Sequence, residues 1–242
     1  KGSRKYVAFA DKCWPAFPSQ FGFEPCYVNS RLCSRGIPVG CEVDIYGALS
    51  EYIGICASGD TVTLLDINNS TPKYIYDEDI TKKYGNKYDI TDTFMGFHCG
   101  NTPSCKMCAN RAIKYQLIQH RLLETGDPDF TRGTLEGDIA ASPITFYRLQ
   151  CDSEGELRSY IAQGEVLDVP TRSFGGIGIF AIPEMGRFYR HVLIEKHYPH
   201  HGAVAFEHVG KTLFEVFRYL GIKDIQYNRP KNLPYPTENP FE

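Results

Sequence analysis

From Thr131 onward the chain is written in short apolar runs separated by turn signals: "GTLEGDIAASPITFYRLQ", "ELRSYIAQGEVLDV" and "GGIGIF". Strands of this length, punctuated this often, predict an antiparallel sheet or barrel rather than a helix bundle. Upstream the pattern differs. In "CEVDIYGALSEYIGICASG", Ile45, Leu49, Tyr52, Ile53 and Cys56 recur at helical spacing and Gly59 closes the helix. The acidic pair Glu42 and Asp44 falls at its N-terminal end, where negative charge is favoured by the helix dipole. "KYVAFA" reads as a short strand and "DKCWPAFPSQFGFEP" as a Pro-punctuated aromatic loop. "TVTLLDINN" reads as a buried strand ending at Asp66, and the polar stretch 68–92 as surface loop.

Two more helices are expected, one from "CKMC" at Cys105 to Gly126 and one in "VGKTLFEVFRYLGI", before a Pro-rich tail from Arg229 that wraps the surface. The expected architecture is therefore α/β plus mainly β. Residues 1–57 form a partial α/β segment of the three-layer type. Residues 58–242 form a partly open antiparallel β-barrel domain with packed helices. A lone strand, loop and helix make a poor α/β layer by themselves, so the start reads as truncated.

With 242 residues and 42% hydrophobic content, the chain has enough material for one large or two modest cores. A net charge of −3 leaves no electrostatic footprint for nucleic acid or an anionic membrane. No apolar run approaches the roughly 20 residues needed to span a bilayer. The opening residues lack an export-signal pattern, so the expected location is the cytoplasm. Nine cysteines without such a signal read as reduced thiols, with Cys41 and Cys56 acting as small hydrophobes.

"HCGNTPSCKMC" places His98, Cys99, Cys105 and Cys108 in zinc-knuckle proximity. Only "CKMC" makes a chelating arm, however, and no second arm follows, so packing thiols are the better reading. The glycines at Gly175–Gly178 fail as a nucleotide fingerprint because a β-like, Pro-broken stretch follows them instead of a helix. "HYPHHGAVAFEH" concentrates His197, His200, His201 and His208 ahead of an apolar run. Clustered imidazoles gain meaning when carboxylates converge on them. Glu42 at a helix start and Asp66 at a strand end are placed to do so. Two carboxylates and one imidazole, with positions left open, suit Mn²⁺ or Mg²⁺ better than structural Zn²⁺.

In order, "KCWPAF", "GIPVGCEVDIYGALS", "LLDINN", "FHCGN" and "HHGAVAFEHVG" resemble the C-terminal half of the L-fucose isomerase family, whose broader fold arabinose isomerases share. The resemblance implies the end of a middle α/β domain followed by a C-terminal, partly open barrel. It implies aldose–ketose isomerisation through an ene-diol with Mn²⁺, Mg²⁺ and Co²⁺ being the other cations considered. Its ligands would be Glu42, Asp66 and His201, with Glu42 and Asp66 also moving the protons. His98, Asn101 and Trp14 would line the sugar pocket. The family's N-terminal domain is not in this sequence, so a fragment, a homo-oligomer whose neighbouring subunit completes the pocket, and a short relative are the alternatives. "PHHG" also departs from the family's surroundings of the ligand histidine, which puts sugar specificity in doubt. Two other functions remain beside the isomerase: a non-catalytic sugar-binding or regulatory relative, and a zinc-stabilised interaction module on Cys99, Cys105 and Cys108.

Overall fold

The computed structural model describes residues 5–114, 127 and 133–239. Its frame is a mixed sheet in the order β11-β8-β7-β10-β3-β4-β9-β6-β5. These strands are β3 (Val62–Ser70), β4 (Thr93–His98), β5 (Ala112–Lys114), β6 (Thr134–Asp138), β7 (Ser142–Cys151), β8 (Leu157–Leu167), β9 (Gly176–Ala181), β10 (His201–Ala205) and β11 (Asp224–Tyr227). β8 also pairs with β9 through Glu165–Ala181, Val166–Phe180 and Leu167–Ile179, which bends the sheet back on itself into a barrel-like, partly closed ring. Most ladders are antiparallel, as the turn-punctuated runs require; β6–β9 and β8–β11 are parallel.

The alternation of a pleated strand divides the side chains between two faces. Leu65, Phe94, Phe146, Tyr160, Phe180 and Val204, one from each strand of the ring, join a single buried cluster. Their neighbours Val62, Tyr147, Ile161 and Ala203 face a second cluster, while Ile177, Ile179 and Ala181 face a third. Both faces are covered, which is why these strands read as nearly continuous apolar runs. Glycine is required where inner rings fill the sheet: a Cβ on Gly202 would lie 2.2 Å from the Phe146 ring.

Three helices precede the sheet or pack on it early: α1 (Ala16–Phe21), α2 (Cys26–Cys33) and α3 (Ile45–Ser58). α1 stands within the stretch expected as loop and α2 begins just after it, and each follows a proline, Pro15 or Pro25. A two-stranded parallel pair, β1 (Phe9–Ala10) with β2 (Val39–Gly40), brackets them. α3 ends at a left-handed Gly59 as its sequence indicates. Its buried face is different from the expected one. Gly47, Ala48, Ser50, Glu51 and Gly54 pack inward, whereas Ile45 is 66% and Leu49 39% exposed. Close approach to β7 selects small residues: a Cβ on Gly54 would fall 1.6 Å from the Tyr147 hydroxyl, which donates to the Ser50 carbonyl at 2.9 Å. Cys56 is exposed rather than a core hydrophobe, whereas Cys41 is fully buried.

The stretch expected as surface loop contains a helical run over 73–84 that buries Ile75 and Ile80 completely. Two aliphatic anchors suffice because the sheet's outer face supplies the rest of that cluster. Where a helix was expected from Cys105, a single tight turn (Ser104–Lys106) leads to β5; residues 115–126 lie outside the described residues. The last helix, α4 (Gly210–Tyr219), is as expected, burying Leu213 and Phe217. The tail is pinned by Tyr235, which is 2% exposed and whose hydroxyl donates to the Tyr227 carbonyl. No helix among the described residues is long and apolar enough to cross a membrane.

Glu51 is the anomaly of α3: a carboxyl group with no exposure, facing inward among small residues. Burial pushes its pKa up to about 8, with the Asp44 charge adding and the backbone amides of Leu64 and Val39 opposing. A folded pKa above the ordinary value of 4.5 means that the protonated folded state is the stable one. The contribution is complete below about pH 4.5 and is lost as pH rises toward 8, on the order of 5 kcal/mol in all. Urea denaturation at pH 5 and pH 8 should therefore show Glu51→Gln gaining several kcal/mol on the wild type between the two conditions. A difference that does not change with pH would mean that Glu51 is not a buried, protonated acid.

Candidate functional site

The strand order brings distant residues together. β3 lies between β10 and β4, and His201 stands directly opposite Asp66 in the β10–β3 ladder. Asp66 shares the outer face of β3 with Val62 and Leu64, so it points toward α3, not into the ring. α3 packs across β3, β7 and β10, and its first turn arrives over the Asp66–His201 pair.

Asp44 caps that first turn, accepting from the Gly47 amide at 2.8 Å. The same carboxylate accepts from Arg148 Nη2 at 2.8 Å and from His201 Nδ1 at 2.9 Å. Burial works against its charge, but His201 and Arg148 outweigh it and hold the Asp44 pKa well below the usual carboxylate range. His201 donates its Nδ1–H to Asp44, so in the neutral ring Nε2 carries the lone pair. That atom lies 3.2 Å from Asp66 Oδ1 and 3.7 Å from Glu42 Oε2. Burial lowers the His201 pKa, yet the hydrogen bonds and charges of Asp44 and Asp66 prevail and lift it to about 9. At neutral pH both ring nitrogens are therefore protonated, and Nε2 becomes a ligand only when a cation takes the place of its proton. Asp66 is correspondingly depressed despite its burial, chiefly by His201.

Glu42 reaches this point through backbone strain. Glu42 (φ 62°) and Val43 (φ 61°) are consecutive left-handed residues, a conformation that a β-branched valine rarely adopts. Such residues cost on the order of 1–3 kcal/mol each and persist only where surrounding bonds hold them. Here the Val43 amide donates to the Asp11 carbonyl at 2.9 Å and the Asp44 amide to the Cys41 carbonyl at 3.1 Å.

His98, at the end of β4, is fully enclosed, and its ring centroid lies 6.2 Å from that of His201. Asp66, His98 and His201 each offer an atom within 4.8 Å of the others. The Cys99 amide donates to His98 Nδ1 at 2.9 Å, so the neutral ring keeps its proton on Nε2, a buried atom without a partner. His98 is thus a hydrogen-bond donor into the site rather than a lone-pair ligand. Asn101 is buried and spends its amide on the Val39 carbonyl of β2 at 3.4 Å. Trp14, 43% exposed, lines a cleft of about 310 Å³ together with Lys12, Cys13, Glu24, Cys26, Glu42, Val43 and Cys99. On its other side Glu42 borders a cleft of about 550 Å³ lined by Arg148, Gln150, His197, Tyr198 and His200. A third cleft of about 530 Å³, lined from Ile67 to Tyr189, contains no carboxylate, imidazole or thiol and offers no comparable chemistry.

The residues fit a divalent cation. Asp66 Oδ1 and His201 Nε2 are buried, lack hydrogen-bond partners and face one another beside the Glu42 carboxylate. A hard-to-borderline cation would satisfy all three. The knuckle cysteines do not converge in this way. Among the described residues, the clusters tight enough for an ion are Asp66–His98–His201, with Glu42 lying just outside it, and Asp11–Cys13–Cys41. Sequence reasoning missed two functional partners. Asp44 was assigned to the helix dipole alone. Arg148 had a readable signal: a charged residue in register with the core-facing Ile144 and Phe146.

This geometry defines a class first: a ring-like β domain carrying a carboxylate–imidazole cluster at the mouth of polar clefts. Residues 96–227 match the family described as "L-fucose isomerase, C-terminal domain", and the chain belongs to that family. It is also similar to curated relatives named sulfoquinovose isomerase. That of Alkalicoccus urumqiensis is 25% identical over 229 residues, covering 92% of this chain and 46% of the relative. That of Clostridium sp. (strain MSTE9) is 29% identical over 184 residues, 73% of this chain and 34% of the relative. That of Priestia aryabhattai is 24% identical over 229 residues, 93% of this chain and 45% of the relative. The chain thus spans less than half the length of these relatives.

The Asp44–Arg148 pair is nearly dry, with side-chain exposures of 11% and 3%. Removing one partner strands the other charge, so Asp44→Ala should destabilise the fold by about 3–5 kcal/mol, including its lost cap. The double variant Asp44→Ala with Arg148→Met should recover part of that loss in urea unfolding. Equal stability of Asp44→Ala and wild type would show that the pair does not anchor α3.

Proposed function

We propose that this chain supplies the cation-binding and proton-moving half of an aldose–ketose isomerase. The observation that carries the proposal is the orientation of His201. Asp44 takes its Nδ1 proton, and its Nε2 faces Asp66 at 3.2 Å and Glu42 at 3.7 Å. Family membership and the names of the relatives supply the reaction class. L-fucose and sulfoquinovose are hexoses that differ from the common sugars at C6, so an aldohexose altered at that carbon is the expected substrate.

Glu42, Asp66 and His201 would hold the ion, Mn²⁺ first and Mg²⁺ or Co²⁺ as substitutes. When bound, such an ion supplies Lewis-acid stabilisation of negative charge on the sugar's O1 and O2. The remaining work falls to the protein. Glu42 and Asp66 both reach toward His201 Nε2, so a sugar carbon held at the cluster has one carboxylate to take its proton and another to return one. The His98 Nε2–H donates to a sugar oxygen, and its burial strengthens that bond. Trp14 offers an exposed indole face to the sugar's C–H groups. Exposed apolar side chains beside Glu42 in the chain, Val43 and Ile45, support a neighbouring subunit or further chain closing the pocket.

Loss of the free-ion electron paramagnetic resonance signal of Mn²⁺ should report binding by the purified chain. His201→Ala and Asp66→Asn should weaken binding by at least ~100-fold, and Asp44→Asn, acting through the imidazole, by ~10–100-fold. In D₂O with sulfoquinovose or L-fucose, turnover should place deuterium at C1 of the ketose and at C2 of the aldose that re-forms. Unchanged Mn²⁺ affinity in His201→Ala would refute the ion site. Deuterium incorporation by Glu42→Gln and Asp66→Asn at the wild-type rate would refute their roles.

A further inference from the structure

A second cluster lies one residue from Glu42 and takes no part in the chemistry above. β1 and β2 run parallel with Ala10 opposite Gly40, and the Asp11 amide donates to the Gly40 carbonyl at 3.0 Å. The residues that follow these strands, Asp11 and Cys41, are thereby set side by side, and Cys13 folds back beneath them. One carboxylate oxygen of Asp11 and the sulfurs of Cys13 and Cys41 all lie within 4.8 Å of one another. Cys13 is 4% and Cys41 0% exposed.

Two observations separate this cluster from ordinary packing thiols. Asp11 Oδ1 is buried without a hydrogen-bond partner, an expensive arrangement for a carboxylate unless something cationic meets it. Its other oxygen is fixed by Asn29, whose amide donates to Asp11 Oδ2 at 2.7 Å and lies 3.9 Å from the Cys41 sulfur. That is the support an outer-shell residue gives to an ion's ligands. An entry path also exists, since Cys13 lines the cleft of about 310 Å³ shared with Glu42, Cys26 and Cys99.

We propose that Asp11, Cys13 and Cys41 form a second, sulfur-rich cation site that takes a soft or borderline divalent ion such as Zn²⁺. Tetrahedral Zn–S bonds of about 2.3 Å place two sulfurs roughly 3.8 Å apart, so atoms already within 4.8 Å of one another need contract by at most about 1 Å. Both thiol protons leave to solvent, and the fourth position opens onto the cleft. Thiolates disfavour Mn²⁺ relative to Zn²⁺, so this site and the Glu42–Asp66–His201 site select different ions. An ion here would tie the ends of β1 and β2 together and brace the strained Glu42–Val43 backbone that follows Cys41.

Cadmium titration of the chain should give a thiolate-to-metal charge-transfer absorption saturating at one equivalent, a signal to which the sulfur-free Glu42–Asp66–His201 site is blind. Cys13→Ser and Cys41→Ser should abolish the absorption, Asp11→Asn should weaken binding at least ~10-fold, and Cys105→Ser with Cys108→Ser should leave it intact. X-ray absorption of the first Zn²⁺ equivalent bound to the His201→Ala chain, which retains all thiols, should show two sulfurs near 2.3 Å with oxygen completing the shell. The proposal is overturned by absence of the charge-transfer band, by its survival in Cys13→Ser, or by a zinc shell without sulfur.

Discussion

The Asp44 carboxylate is the point on which the rest of the site depends. It closes the first turn of α3, neutralises Arg148 rising from β7, and takes the Nδ1 proton of His201 on β10. Each bond alone is of an ordinary kind. Together they lock a helix to two strands of the ring through one buried anion. They also hold the Nδ1–H of His201 toward Asp44, so that once the Nε2 proton is displaced a lone pair faces Asp66 and Glu42. Fold stability and site chemistry therefore run through the same atoms.

Backbone strain completes the arrangement. A helix that began in the usual way after β2 would carry Glu42 off along the α3 axis. Two successive left-handed residues turn it back toward His201 instead, and the ladder between β1 and β2 holds that turn in place. The price of this geometry is visible nearby. α3 approaches β7 so closely that its fully buried positions are small residues and the one buried acid, Glu51, with Ile53 and Ile55 packing at the flanks. Part of the expected apolar stripe, Ile45 and Leu49, is left outward on α3, with Ile45 close to Glu42 in the chain.

Much of this was legible beforehand, and the failures have identifiable causes. Turn-punctuated runs announced the sheet, and Gly59 announced the end of α3. Glu42, Asp66 and His201 drew attention as carboxylates at element ends and as one of four clustered histidines. The inner face of α3 was misread because apolar periodicity assumes that large residues point inward, while here steric proximity to Tyr147 reverses the assignment. The run 73–84 was taken for loop because only two of its aliphatic residues are needed when the sheet provides the other half of the core. The cysteine-rich "HCGNTPSCKMC" misdirected attention. Its thiols stay dispersed, and His98 alone enters the site, as a donor whose tautomer depends on the Cys99 amide.

By itself, the sequence determined the local elements and the chemical inventory: strand periodicity, helix ends, and a supply of carboxylates and imidazoles at segment boundaries. These follow from properties of neighbouring residues. The tertiary structure alone decided which of them meet. Asp66 and His201 face one another because β3 and β10 pair, and residues 135 apart in the chain (201 − 66) become cross-strand neighbours through that register. Asp44, Arg148 and Asn29 acquire their roles in the same way. A hydrogen bond depends on distance and direction in space, and chain separation specifies neither.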